Sequence, residues 1–209
     1  MPRRVRENTL PSFAEALAAG ADGIELDVHA TSDGVVVVHH DAQVAGGVSI
    51  ADTSWRDLQR AAADMRLEVP TLASVCDLVD ERAELFVEIK GADIERQVIA
   101  VLRPYRGPSA IHSFDHGAIA RLAKLDGSLR LGLLFEERVQ DVATMLAANG
   151  ARDAWPHYSL VDGALVDSVH AAGGRVIAWT VNDRRDVARL SALGVDGLCT
   201  DDVTLVGGS

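Results

Sequence analysis

The sequence predicts an α/β fold of the TIM (β/α)8-barrel type. Two observations predict it. From Glu84 to the C-terminus, six short apolar stretches alternate with amphipathic helical patterns. Strands separated by helices of that length pair in parallel through right-handed crossovers. Charged residues spaced by two also gather at the ends of two strands, where such barrels place their chemistry. A doubly wound open sheet is the competing architecture, but no Gly-rich dinucleotide fingerprint follows an early strand.

Residues 1–9 carry no apolar period and read as a loop, followed by an alanine-rich helix over Pro11–Ala19 that Gly20 stops. A β-hairpin is expected over residues 21–41. Gly23–Val28 alternates with period two, sending Ile24, Leu26 and Val28 one way and Glu25 and Asp27 the other. Asp33-Gly34 reads as a two-residue turn, and counting back from it sets Asp27 opposite His40. Opposed residues share a face, so Glu25, Asp27 and His40 converge, while His39 points away and takes no role. Residues 42–69 read as a connector with a helical pattern over Trp55–Ala63. Pro70-Thr71 opens a helix over Leu72–Glu81, with the proline in its first turn.

Strands then follow at 85–90, 109–114, 130–135, 153–158, 175–181 and 195–200. Helices lie between them near 94–102, 116–125, 138–148, 163–172 and 185–193. With the hairpin's first strand this makes seven parallel strands, yet the chain opens with a helix. The reading is one domain over 1–209, a barrel lacking its first strand, with the hairpin at the active-site face.

The balance of 20 Lys and Arg against 31 Asp and Glu gives a formal charge of −11. That disfavours a nucleic-acid or anionic-membrane partner. A mean hydropathy of +0.10 suits an ordinary globular core. Cys76 and Cys199 stand far apart and read as buried thiols in a reducing compartment. No apolar run is long enough for a membrane span or a signal peptide, so the cytoplasm is the expected location.

Two side-by-side carboxylates are costly unless a cation lies between them. Glu25, Asp27 and Glu88 are therefore read as metal ligands, and a hard oxygen set suits one Mg2+ or Ca2+. Lys90, two residues past Glu88, is placed against a phosphate oxygen. His40 is the candidate proton donor to a leaving oxygen, and Trp179 the candidate wall of the substrate pocket.

The segments ENTLPSF (7–13), GADGIELDV (20–28), SDGVVVVHHD (32–41), PTL (70–72), VEIK (87–90), HSFD (112–115), AWTVND (178–183) and GVDGLCTDD (194–202) resemble the glycerophosphodiester phosphodiesterase family along essentially the whole chain. The resemblance implies a barrel hydrolase of glycerophospholipid metabolism. It uses a divalent cation to split small glycerophosphodiesters into an alcohol and glycerol 3-phosphate. It makes Glu25, Asp27 and Glu88 metal ligands, His40 the second catalytic histidine and Lys90 a phosphate-side lysine. The family's first strand ends in His-Arg-Gly a few residues before ENT, a spacing that falls upstream of Met1. The expectation is therefore an N-terminally truncated barrel, with an impaired metal- or phosphodiester-binding module as the alternative to an active enzyme.

Overall fold

The computed structural model describes residues 6–44 and 46–206. Of the loop expected over residues 1–9, Arg6 onward is described, and Arg3 and Arg4 lie outside the described residues. These residues form two compact units, one ending at Ser109 and the other starting at Ala110.

In the first unit, helix α1 (Leu10–Ala18) starts at Thr9, whose hydroxyl accepts the Ser12 N–H while the Ser12 hydroxyl accepts the Thr9 N–H. This reciprocal cap satisfies two otherwise orphaned donors. Strand β1 (Gly23–Ala30) pairs antiparallel with β2 (Val36–Val38) and parallel with β5 (Glu84–Ile89). Ile24, Leu26 and Val28 are buried, as the alternation requires.

The turn between β1 and β2 differs from the expected one. Thr31 N–H donates to the Val35 carbonyl and Gly34 N–H to the Thr31 carbonyl, which leaves a three-residue loop, Ser32-Asp33-Gly34. Within it Gly34 alone takes a positive φ, +84°. A type I turn closed by a left-handed glycine has this form. The added residue moves the register by one, so His29 faces Val37. Continued one pair outward, Asp27 faces His39 rather than His40, and the His39 N–H donates to the Asp27 carbonyl at 3.0 Å.

Residues 42–69 form a small folded module rather than a plain connector. It holds strands β3 (Gln43–Val44) and β4 (Val48–Ser49) and helix α2 (Trp55–Asp64). Val44, Ile50, Leu58, Ala62 and Val69 close over Val37 of β2 to make its core. Helix α3 (Leu72–Val79) is capped by the Thr71 hydroxyl, so Pro70 precedes the helix instead of entering its first turn. The Pro70 carbonyl instead accepts the Val38 N–H at 2.8 Å. Helix α4 (Glu95–Leu102) follows β5.

The second unit alternates β6 (Ser109–Ser113), α5 (His116–Leu125), β7 (Leu131–Phe135), α6 (Val142–Ala148), β8 (Asp153–Pro156), α7 (Gly163–Ala171), β9 (Arg175–Ala178), α8 (Arg184–Leu193) and β10 (Gly197–Leu198). Its strands lie in chain order and pair in parallel. The α6 helix starts at Val142, not Arg138, because Asp141 caps it by accepting the Thr144 N–H. Strand β8 stops at Pro156, and a 3-10 turn takes up Tyr158–Leu160. At the strand starts, Asp153 is fully buried and accepts from both the Arg130 and Arg175 guanidinium groups at 2.7–3.2 Å.

Strands β1 and β5 of the first unit pair in parallel, as do β6–β10 of the second through intervening helices, an α/β chain of the TIM (β/α)8 type.

Candidate active site

The first unit gathers its charged side chains around β1 and β5. The parallel register sets Asp27 beside Glu88 and Glu25 beside Phe86. Glu25 and Asp27 lie inside β1 rather than at its end, and Glu88 is the penultimate residue of β5. Asp27 and Glu88 are buried and Glu25 half-buried. Lys90 follows β5 and turns its ammonium back, 2.9 Å from Glu88 Oε1 and 3.5 Å from Asp27 Oδ1.

Burial pushes the Glu25 carboxyl up to about 8, with further repulsion from Asp27 and Glu7, against opposing pulls from Lys90 and His40. Burial by itself would lower the Lys90 ammonium, but its hydrogen bond and ion pair with Glu88, and the charge of Asp27, raise it overall. The three carboxyl groups gather around the Lys90 ammonium in a desolvated place. Their all-oxygen donor set fits a hard divalent cation.

His40 lies just beyond β2, with Nδ1 2.8 Å from Asp41 Oδ1 and Nε2 3.5 Å from Lys90 Nζ. Its approach to the cluster comes from the bend after β2, not from the pairing register the sequence suggested. The hydrogen bond it donates to the Asp41 carboxylate raises its pKa, with Asp27 adding to the effect; partial burial and Lys90 oppose it.

Two further side chains join this group. Asn8 takes a left-handed φ of +56°. Its Nδ2 donates to Asp27 Oδ2 at 2.8 Å, and its Oδ1 accepts the Asp27 N–H at 3.2 Å. An asparagine just ahead of a helix cap is a readable left-handed position, but nothing local says which strand it will reach. His39 is buried, 8 % exposed, where the sequence reading turned it away from the acids. Its Nδ1 lies 2.9 Å from the Asp41 carbonyl, and its Nε2 lies 3.5 Å from the Arg6 guanidinium. His29, on β1, sets its Nε2 3.2 Å from the His40 carbonyl, and burial lowers its pKa.

Trp179 belongs to the second unit and follows β9 directly. Its indole N–H donates to the Trp155 carbonyl at 2.9 Å, and the Phe114 and His157 rings pack edge-on against it at 5.4 and 5.5 Å. The Trp179 ring is thus fixed at the C-terminal end of a parallel strand, where the fold class places substrate contacts. Among the described residues, no helix is long and apolar enough to cross a membrane.

The chain is similar to known proteins over nearly all of its length. A glycerophosphodiester phosphodiesterase of Caldanaerobacter subterraneus is 31% identical, with 96% of this chain and 90% of that protein covered. One from Bacillus altitudinis is 28% identical over 93% and 89%. Among solved structures, the glycerophosphodiester phosphodiesterase of Thermotoga maritima matches with a TM-score of 0.85 at 25% identity, covering 97% of this chain and 92% of that one. The fold is shared too by an Oleispira antarctica phosphodiesterase solved with its product sn-glycerol-3-phosphate, at a TM-score of 0.86 and 23% identity over 96% and 89%. The sequence profile that spans residues 1–205 is that of the glycerophosphoryl diester phosphodiesterase family, and to this family the chain belongs.

Proposed function

We propose that the protein hydrolyses small glycerophosphodiesters to an alcohol and glycerol 3-phosphate, with one Mg2+ or Ca2+ held by Glu25, Asp27 and Glu88. The observation that carries this reading is the adjacency of Asp27 and Glu88 in the β1–β5 register, beside a Glu25 whose burial makes it cling to a proton. Family membership supplies the substrate class.

When bound, the cation withdraws charge from the phosphate and makes phosphorus easier to attack. The protein's own groups do the rest. Asp41 stabilises the charged form of His40 and raises its pKa, and His40 Nε2 delivers a proton to the departing alcohol oxygen. Asn8 fixes one Asp27 oxygen, and the other, beside Lys90, is the one that would hold a cation. Lys90 holds Glu88 and Asp27 in place and adds positive charge on the phosphate side. Trp179 is the second unit's proposed substrate contact. The setting we propose is cytoplasmic glycerophospholipid breakdown.

The test is release of glycerol 3-phosphate from glycerophosphocholine by the purified chain, with Mg2+ or Ca2+, with chelator, and beside Glu25→Ala. Metal-dependent release that Glu25→Ala abolishes supports the reading. Absence of release from folded protein overturns it in favour of a binding module.

A further inference from the structure

We propose that Arg189 is a positioning residue for the substrate contact at Trp179, acting through the turn that follows β8. This deepens the proposed function and rests on it for the role of Trp179.

The turn is poorly closed by its own backbone. Strand β8 ends at Pro156, and the chain passes through the 3-10 turn at Tyr158–Leu160 before α7. The Leu160 N–H reaches the His157 carbonyl at 2.9 Å, but the Val161 N–H is 3.4 Å from the Tyr158 carbonyl. A single turn with one short backbone bond has little to resist local opening.

Arg189, on α8, supplies what the turn lacks. Its Nη2 donates to the Tyr158 carbonyl at 2.9 Å and its Nη1 to the Val161 carbonyl at 3.1 Å. Asp186, one helical turn earlier, accepts from Nε and Nη2 at 3.2 Å, which sets the direction of the fork. A guanidinium holds its donors in one rigid plane and can serve all three acceptors together. A lysine ammonium is a single point that cannot span them.

Trp179 rests on this tethered turn. The Tyr158 N–H donates to the Trp179 carbonyl at 2.8 Å, and the Trp179 N–H donates to the Pro156 carbonyl at 3.2 Å. The His157 ring stands edge-on to the indole at 5.5 Å and packs on the Tyr158 ring at 4.4 Å. Residues 157 and 158 thus hold Trp179 by ring and by main chain, while Arg189 holds residues 158 and 161. Without the fork those two carbonyls turn to water and the turn gains freedom. The indole must then be ordered when substrate arrives. That ordering opposes binding and leaves the chemical step alone, so the loss falls on KM rather than kcat.

The experiment measures KM, kcat and melting temperature with glycerophosphocholine as substrate. The variants are Arg189→Ala, Arg189→Lys, Trp179→Ala and the double variant Arg189→Ala with Trp179→Ala. Arg189→Ala should raise KM roughly two- to tenfold, the scale of ordering a side chain on binding, with kcat little changed. Arg189→Lys, which can serve one carbonyl, should recover part of that loss. In the double variant KM should rise no further than in Trp179→Ala. A clamp that served stability alone would lower the melting temperature and leave KM in place, which would overturn the proposal. KM effects that multiply in the double variant would overturn it too. Should Arg189→Ala fail to fold, Arg189→Lys and Asp186→Ala, which frees the fork, must both raise KM. An unchanged KM in Trp179→Ala removes this proposal and leaves hydrolysis standing. If the folded wild type binds glycerophosphocholine without splitting it, the hydrolase reading falls and calorimetric Kd takes the place of KM in the same comparison. A wild type that neither binds nor splits the diester overturns both.

Discussion

Asn8 grips Asp27 at both ends, donating to the carboxylate at 2.8 Å and accepting from the same residue's N–H at 3.2 Å. A carboxylate held this way has one oxygen occupied and the other aimed. Losing such a support costs about 10- to 100-fold in metal affinity or activity. Asn8→Ala should fall in that range for divalent-cation affinity. Asn8→Gly keeps the left-handed backbone at φ +56° without strain. If Gly restores the affinity, backbone strain rather than the side-chain grip accounts for the loss.

Glu25 makes a second prediction, about pH. Its folded-state pKa is raised from 4.5 to about 8, so the folded protein holds this proton more tightly than the unfolded chain. The resulting stability is fully present below pH 4.5 and is lost as pH rises through about 8. In chelator, the melting temperature should therefore decline across that window, and Glu25→Gln should flatten the decline. Saturating divalent cation should restore stability at the alkaline end of wild type but not of Glu25→Gln, as differential scanning calorimetry would show.

The acid role proposed for His40 predicts that His40 and Asp41 set the alkaline limb of activity. A general acid works only while protonated, and the Asp41 hydrogen bond raises the His40 pKa. Asp41→Asn should move the alkaline limb of the kcat/KM profile to lower pH. His40→Ala should lower kcat by about 10²- to 10⁴-fold. A limb that stays in place in Asp41→Asn would assign it to another group.

The second unit has its own testable point. Asp153 is fully buried between Arg130 and Arg175. Removing a fully buried carboxylate strips both arginines of their counter-charge, and because their side chains reach solvent the cost falls below the roughly 3–5 kcal/mol of a fully buried group. Asp153→Ala should lower the urea midpoint accordingly with the m-value unchanged.

Much of this was legible in the sequence because period and composition report it directly. The alternation after Glu84 gave the parallel strands, and His116–Leu125 was placed to the residue. Glu25, Asp27, Glu88 and Lys90 followed from spacing by two on neighbouring strands. The hairpin register was not legible because Asp-Gly serves two different turns. What selects between them is partly remote: Asp33 Oδ1 accepts from Thr31 Oγ1 at 2.6 Å, but also from the Trp55 N–H at 2.9 Å. The Trp55 contact comes from 22 residues away, at the start of α2. That one turn is why the sequence sets His40 opposite Asp27 and the structure sets His39 there.

Val37 belongs at once to the β1–β2 ladder and to the small core of residues 42–69, and it lies two residues before His39. The two histidines are therefore suspended from a joint that the small core must keep closed. That core is built from a handful of side chains and should open at a lower temperature than the sheet. On heating, catalysis should fade while the far-ultraviolet signal still reports an intact fold, and cooling from that point should return it. The working temperature of the protein would then be set by residues that never meet the substrate.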